Sequence, residues 1–175
     1  MQQLQKKLSK TNFKIKYVLM SIYLFCAMSV FAQEGKSYNS VYCELGGNGL
    51  YYSINYERLI LKSKIANYGL RGGIAFFTIN TNRDLLSFPF EFNIIFGQNK
   101  SHIEFAPGYT LIHEHQVDEK NWGSILFLRL GYRYQKGSGG FVFRAGFTPY
   151  TDFLIDYWDT PQLSLWFGIS AGYSF

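Results

Sequence analysis

Several absences narrow what this chain can be. Past residue 33, the 175-residue sequence holds no apolar run of 18 or more, so no transmembrane helix is expected there. The 3.6-residue apolar period of an amphipathic helix is missing too. Cysteine is scarce. One of the two, Cys26, falls in a leader-like segment, which leaves Cys43 without an intramolecular disulfide partner. No neighbouring residue would activate the Cys43 thiol as a nucleophile. The glycines of Gly46-Gly47-Asn48-Gly49 are followed by no helix, so they offer no helix N-terminus to a phosphate. A basic stripe is lacking as well. The net charge of +5 comes from Lys6, Lys7, Lys10, Lys14 and Lys16, in an acid-free stretch over 1–32. Without those five lysines, 12 basic residues balance 12 acidic ones, and nucleic acid is excluded as a partner. No motif calls for a cofactor.

The acid-free stretch has the form of a secretory signal peptide. A basic region precedes the apolar segment YVLMSIYLFCAMSVF (17–31), too short for the ~20 residues of a spanning helix. Val30 and Ala32 occupy the small-residue positions of a cleavage site before Gln33. Phe25 before Cys26 argues against a lipidated cysteine. The chain is therefore divided into a cleaved signal peptide (1–32), a periplasmic N-terminal segment (33–39) and a membrane domain (40–175).

After the leader, apolar residues recur with period 2, segment after segment, with turn residues between. Eight strands are predicted: Ser40–Leu45, Leu50–Leu59, Tyr68–Thr78, Leu85–Phe96, Ser101–Ile112, Ser124–Tyr134, Gly140–Thr148 and the closing LSLWFGISAGYSF (163–175). The alternation sorts residues into two sets. One is large and apolar, including Tyr52, Ile54, Tyr56, Phe88, Phe90, Phe92, Leu126, Leu128 and Leu130. The other is glycine, alanine, serine and asparagine, together with four acids (Glu44, Glu57, Glu91, Glu104) and four arginines (Arg71, Arg129, Arg133, Arg144).

Period 2 does not say which set faces in. A soluble barrel would bury the apolar set, and an outer-membrane barrel would turn it to lipid. Volume favours the second, because an eight-stranded interior is only wide enough to be filled by side chains, and the aromatic set would overfill it. A glycine-rich exterior with so few lysines would also be poorly soluble. Most of the strands run about ten residues, near the ~9–11 that a tilted strand needs to cross a bilayer. Buried charge must be paired, and the matched glutamates and arginines predict an ion-pair network in the lumen. Unpaired backbone is not tolerated in hydrocarbon, so the sheet must close, first strand against last. The expected fold is an all-β, eight-stranded antiparallel up-and-down transmembrane barrel, with both termini in the periplasm.

The stretches ELGGNGLYYSINYER (44–58), GYRYQKGSGGFVFRAGFTPY (131–150) and FGISAGYSF (167–175) resemble a group of small outer-membrane β-barrel proteins of Gram-negative bacteria, hypothetical or porin-family barrels. The resemblance implies an outer-membrane location, contact with outer-membrane lipid and recognition by the barrel-assembly machinery during insertion. Phe167, Ile169, Tyr173 and Phe175 would carry that assembly signal. It implies no catalytic residues.

Candidate sites lie in the longest connectors. The external loop 113–122 holds His113, Glu114, His115 and Asp118, a weak metal-binding set. The external loop 149–162 holds Asp152, Asp156 and Asp159 among aromatics, which suits an external partner. Tyr150, Tyr157, Trp158 and Trp166 fit an aromatic girdle at the outer interface. His102 and Glu104 share one strand face, as an acid–base pair would. The leading functional expectation is a barrel with a plugged lumen that supports the envelope or binds through its loops. The alternatives are an enzyme modifying lipid A or an acyl chain, and a narrow channel.

Overall fold

The computed structural model describes residues 38–80, 83–97, 99–116, 119–152 and 163–175. The segment 1–32, expected to be a signal peptide, lies outside the described residues, as do Asp118, Tyr157, Trp158, Asp156 and Asp159. The described structure is β apart from a single 3₁₀ turn, Gly47–Gly49. In chain order the strands are β1 (Asn39–Gly46), β2 (Tyr52–Lys62), β3 (Ala66–Asn80), β4 (Arg83–Phe96), β5 (Ser101–Gln116), β6 (Glu119–Gln135), β7 (Gly140–Phe147), β8 (Tyr150–Asp152), β9 (Leu163–Ser164) and β10 (Phe167–Ser174).

These ten segments make eight staves. β6 pairs with both β7 and β8, which are halves of one stave broken at Thr148-Pro149, where proline removes a ladder donor. β7 pairs with β10 and β8 with β9, so the last two segments form the final stave. All pairings are antiparallel, and all but one join consecutive staves. β1 meets β10 from Ser40↔Ser174 to Gly46↔Gly168 and closes the barrel. The seam is completed beyond the ladder, where the Phe175 carbonyl accepts from the Asn39 amide at 2.9 Å.

The large apolar side chains point outward. Ile54, Phe90, Ile103 and Phe167 are 57%, 51%, 69% and 68% exposed. The eight charged residues Glu44, Glu57, Arg71, Glu91, Glu104, Arg129, Arg133 and Arg144 point inward and are at most 3% exposed. Period 2 thus produces a molecule with its polarity inverted relative to a soluble barrel.

Two features depart from the sequence expectation. First, the strands at one end are longer. β5 and β6 stay paired out to Gln116↔Glu119, so most of the expected loop 113–122 is hairpin. These residues are mostly polar, yet they find partners: across the ladder His113 packs on Trp122 with ring centres 4.5 Å apart, and on the other side of β5 Glu114 pairs with Arg83 of β4. β3 and β4 likewise continue to Asn80↔Arg83, whereas β1 and β2 stop at Leu45↔Tyr52. One wall of the barrel therefore rises above the other.

Second, the interior is not uniformly small and polar. Ala75, Phe77, Leu85, Ile112, Ile125 and Phe127 form a buried cluster inside the taller wall, with Leu50 and Tyr150 packed against it. Tyr150 and Trp166 face this cluster rather than a lipid girdle. The Tyr150 ring sits 5.2 Å from Phe127, and the Trp166 indole N–H donates to the Leu50 carbonyl at 3.2 Å.

Candidate functional site

The inner wall brings the four glutamates and four arginines into one connected set. Every stave but the last supplies at least one: Glu44 from β1, Glu57 from β2, Arg71 from β3, Glu91 from β4, Glu104 from β5, Arg129 and Arg133 from β6, and Arg144 from β7. Glu44 bridges Arg71 and Arg129. Glu91 lies at the centre, with Arg71 Nη1 at 2.6 Å and Arg129 Nε and Arg144 Nη2 each at 3.0 Å. Glu104 joins Arg144 to Arg133, the latter at 3.0 Å. Glu57 closes the chain on Arg133 at 2.6 Å.

The arrangement resolves a local conflict. Arg133 and Arg144 are direct cross-strand partners, a repulsive placement for like charges. The Glu104 carboxylate lies between them and accepts from both, which turns the repulsion into a bridge. Neutral side chains satisfy most of the remaining lone pairs and protons. Asn55 Oδ1 accepts from Arg71 at 2.8 Å, Asn93 donates to Glu57 at 2.9 Å, and Ser170 from β10 donates to Glu44 at 3.0 Å. Burying so many ions is expensive unless each is paired and hydrogen-bonded, and this shell supplies both.

Tyr42 is a member that charge counting missed. Its hydroxyl donates to Glu57 at 3.0 Å and accepts from Arg144, and the Arg144 guanidinium sits 4.9 Å from its ring centre. The available signal was parity, since Tyr42 lies between Ser40 and Glu44 on the inner face of β1.

Above the network, the connection from β1 to β2 folds into the barrel. Gly47, Asn48 and Gly49 are all buried. The Asn48 carbonyl accepts from Thr110 on β5 at 2.7 Å, across the lumen. Glycine is required for this path. Gly46 and Gly47 have φ of 70° and 65°, and a Cβ on Gly47 would lie 2.5 Å from Glu44 Cδ and 2.7 Å from Arg129 Nη2. Leu50, also at positive φ (72°), carries the turn up into the apolar cluster. The inward-facing residues thus lie in tiers: ions, then the turn, then the aromatic and aliphatic cluster. GGNG looked like an ordinary wall turn in the sequence, because nothing local distinguishes a hairpin that stays in the wall from one that folds inward.

The remaining candidates are not drawn together. His102 Nε2 contacts the Gln135 carbonyl at 3.1 Å, while Glu104 is taken up by its two arginines, so the two do not form an acid–base pair. The hydroxyl nearest in sequence, Ser101 Oγ, lies 3.0 Å from the Tyr132 hydroxyl. His113 stacks on Trp122 and Glu114 pairs with Arg83. Among the described residues no cluster of three or more His, Cys, Asp or Glu could hold a metal. Asp152 ends β8, but its side chain is not described. Phe167, Ile169 and Tyr173 share the outer face of β10, with Phe175 beyond it, half-buried.

No protein-family model matches the chain, and no curated protein matches it. Among solved structures it is similar to Ail, the attachment invasion locus protein of Yersinia pestis, at 13% identity and a TM-score of 0.43, over 81% of this chain and 100% of that one.

Proposed function

We propose that this chain is an integral outer-membrane barrel with a plugged, non-conducting lumen, serving the envelope structurally or by binding through its external hairpins and loops. The carrying observation is the inverted polarity: exposed Ile54, Phe90, Ile103 and Phe167 outside, and a net-neutral set of eight buried ions inside. Such an exterior is unstable in water over this area and stable in hydrocarbon. Export through a cleaved signal peptide over 1–32 and delivery to the assembly machinery by Phe167, Ile169, Tyr173 and Phe175 belong to the same proposal. So do the periplasmic termini.

The taller wall supports the binding role. A tilted strand needs ~9–11 residues to span a bilayer, whereas β5 has 16 and β6 has 17. The surplus lifts the 113–122 hairpin above the membrane, where exposed Trp122 (58%) would meet an external partner. Loop 149–162 belongs to the same binding proposal.

Reconstitution tests this. The purified full chain should insert into phospholipid vesicles, resist protease and run with heat-modifiable mobility on a denaturing gel. In a planar bilayer it should pass no steady current. A steady current would refute the plug, and failure to insert would refute the location. Altered acyl chains on lipid A from cells expressing the protein would replace the structural role with an enzymatic one.

A further inference from the structure

Outside the ion network, one end of this barrel carries basic turns without acids. The β2–β3, β4–β5 and β6–β7 turns lie at the end where β1 begins and β10 ends. They carry Lys62, Lys64, Lys100 and Lys136 and no acid. The opposite end carries both signs at its strand ends: Asp84, Glu114 and Glu119 with Arg83 and Lys120.

Two of the lysines border one cleft. The β4–β5 and β6–β7 turns are tied together where the Gln135 amide donates to the Lys100 carbonyl at 2.9 Å. Between them lies a concavity of about 630 Å³ lined by Asn99, Lys100, Ser101, Lys136, Gly137 and Ser138. Its lining holds two ammonium groups, two hydroxyls and an amide, and no carboxylate. Among the described residues neither lysine has an acidic partner within ion-pairing distance. Two unneutralised cations beside hydroxyl donors form a receptor for a phosphate oxyanion.

The surroundings favour a lipid over a free ion. The cleft opens onto the edge of the apolar exterior. Ile103, two residues from Ser101, is 69% exposed, and its cross-strand partner Tyr132 is 45% exposed. Phe141, on the far side of the β6–β7 turn, is 56% exposed. A charged head seated between the lysines would leave its chains along Ile103, Tyr132 and Phe141.

We propose that this cleft binds the phosphate of an anionic phospholipid in the membrane leaflet at the turn end. The assignment rests on the membrane-barrel reading, which makes that leaflet the periplasmic one. The partner is thus a diacyl phosphodiester with an uncharged or anionic head, recognised by Lys100 and Lys136.

Native mass spectrometry of the full chain, folded in detergent, tests it with phosphatidylglycerol as the probe. Phosphatidylcholine of the same chains and inorganic phosphate serve as comparisons. Each basic residue near an anionic surface is worth about fivefold, so Lys100→Gln/Lys136→Gln should weaken phosphatidylglycerol retention roughly thirtyfold. Lys100→Arg/Lys136→Arg should retain the lipid, and Lys120→Gln at the other end should leave retention unchanged. Phosphatidylcholine should be held less tightly than phosphatidylglycerol, and the excess should vanish in the glutamine double variant. Equal phosphatidylglycerol retention by wild type and the glutamine double variant overturns the site. Inorganic phosphate displacing the lipid at equal concentration makes it a free-anion site and also overturns it. Insertion into vesicles is scored separately. A wild-type chain that inserts but fails these comparisons loses only the lipid site, whereas one that fails to insert loses the membrane reading with it.

Discussion

Glu91→Gln removes the central charge of the lumen while keeping the shape of the side chain. In the parent, the carboxylate meets guanidinium nitrogens of Arg71 at 2.6 Å and of Arg129 and Arg144 at 3.0 Å. After substitution, none of the three arginines is stripped bare. Arg71 and Arg129 keep Glu44, and Arg144 keeps Glu104. What changes is the balance: four buried cations then face three anions, in a space that gives the excess charge no water. Breaking a buried ion pair from one side costs about 3–5 kcal/mol, and the remaining partners here place Glu91→Gln near 3. Urea unfolding in lipid vesicles, followed by tryptophan fluorescence, measures it. The compensating variant Glu91→Gln/Arg129→Met restores neutrality and removes two desolvated ions together. It should be more stable than the sum of its single changes by about 1–3 kcal/mol. A loss below about 1 kcal/mol for Glu91→Gln, where the buried-pair value is expected, would show that the lumen is wet. Additivity of the pair would refute the connected network.

Other perturbations test other parts. Phe90→Arg puts a cation on the outer face of β4 and should cost about 2–4 kcal/mol near the bilayer midplane, read by the same urea titration; parental stability would reverse the facing of the strands. Gly47→Ala forces a side chain at φ 65° against Glu44 and Arg129. Strain and overpacking together predict a loss of about 2–4 kcal/mol. Phe175→Ala should slow insertion by purified assembly machinery several-fold; equal insertion rates would remove Phe175 from the assembly signal.

How much of this was legible in advance follows from which forces are local. Facing was readable because a sheet has period 2, so Phe88, Phe90 and Phe92 share a side wherever β4 sits. The ion set was readable for the same reason, since parity alone selects Glu91, Arg129 and Arg144 from the chain. Pairings were not. Arg71 lies opposite both Glu57 on β2 and Glu91 on β4, yet it bonds Glu91 and Glu44 and leaves Glu57 to Arg133. That choice depends on side-chain reach across a closed lumen, which no pattern along one strand encodes. The apolar cap escaped notice for a related reason. Phe77, Leu85 and Ile112 occupy inner-face positions of the tall wall, but the sequence does not reveal that β3 to β6 continue past Thr78, Leu85, Ile112 and Ser124, and so rise above β1 and β2 around a space that small residues could not fill.

The unequal wall heights assign different tolerances to two hairpin connections. The β1–β2 turn is buried, hydrogen-bonded to Thr110 through Asn48, and pressed between the ions and the cap. The β3–β4 connection follows the end of the raised wall, beyond the last pair Asn80↔Arg83. A four-residue Gly-Ser insertion after Asn80 lengthens a connection and should cost about 0.6 kcal/mol for each doubling of the loop. The same insertion after Asn48 must be housed in filled space or expel the turn. Expulsion would forfeit the buried hydrogen bond and the Leu50 packing, a loss of about 2 kcal/mol or more. It would also leave the lumen above Arg129 uncovered. The Asn48 insertion should therefore lower the urea midpoint and raise bilayer current, while the Asn80 insertion should do neither. Equal tolerance at both places would mean that the turn does not seal the barrel.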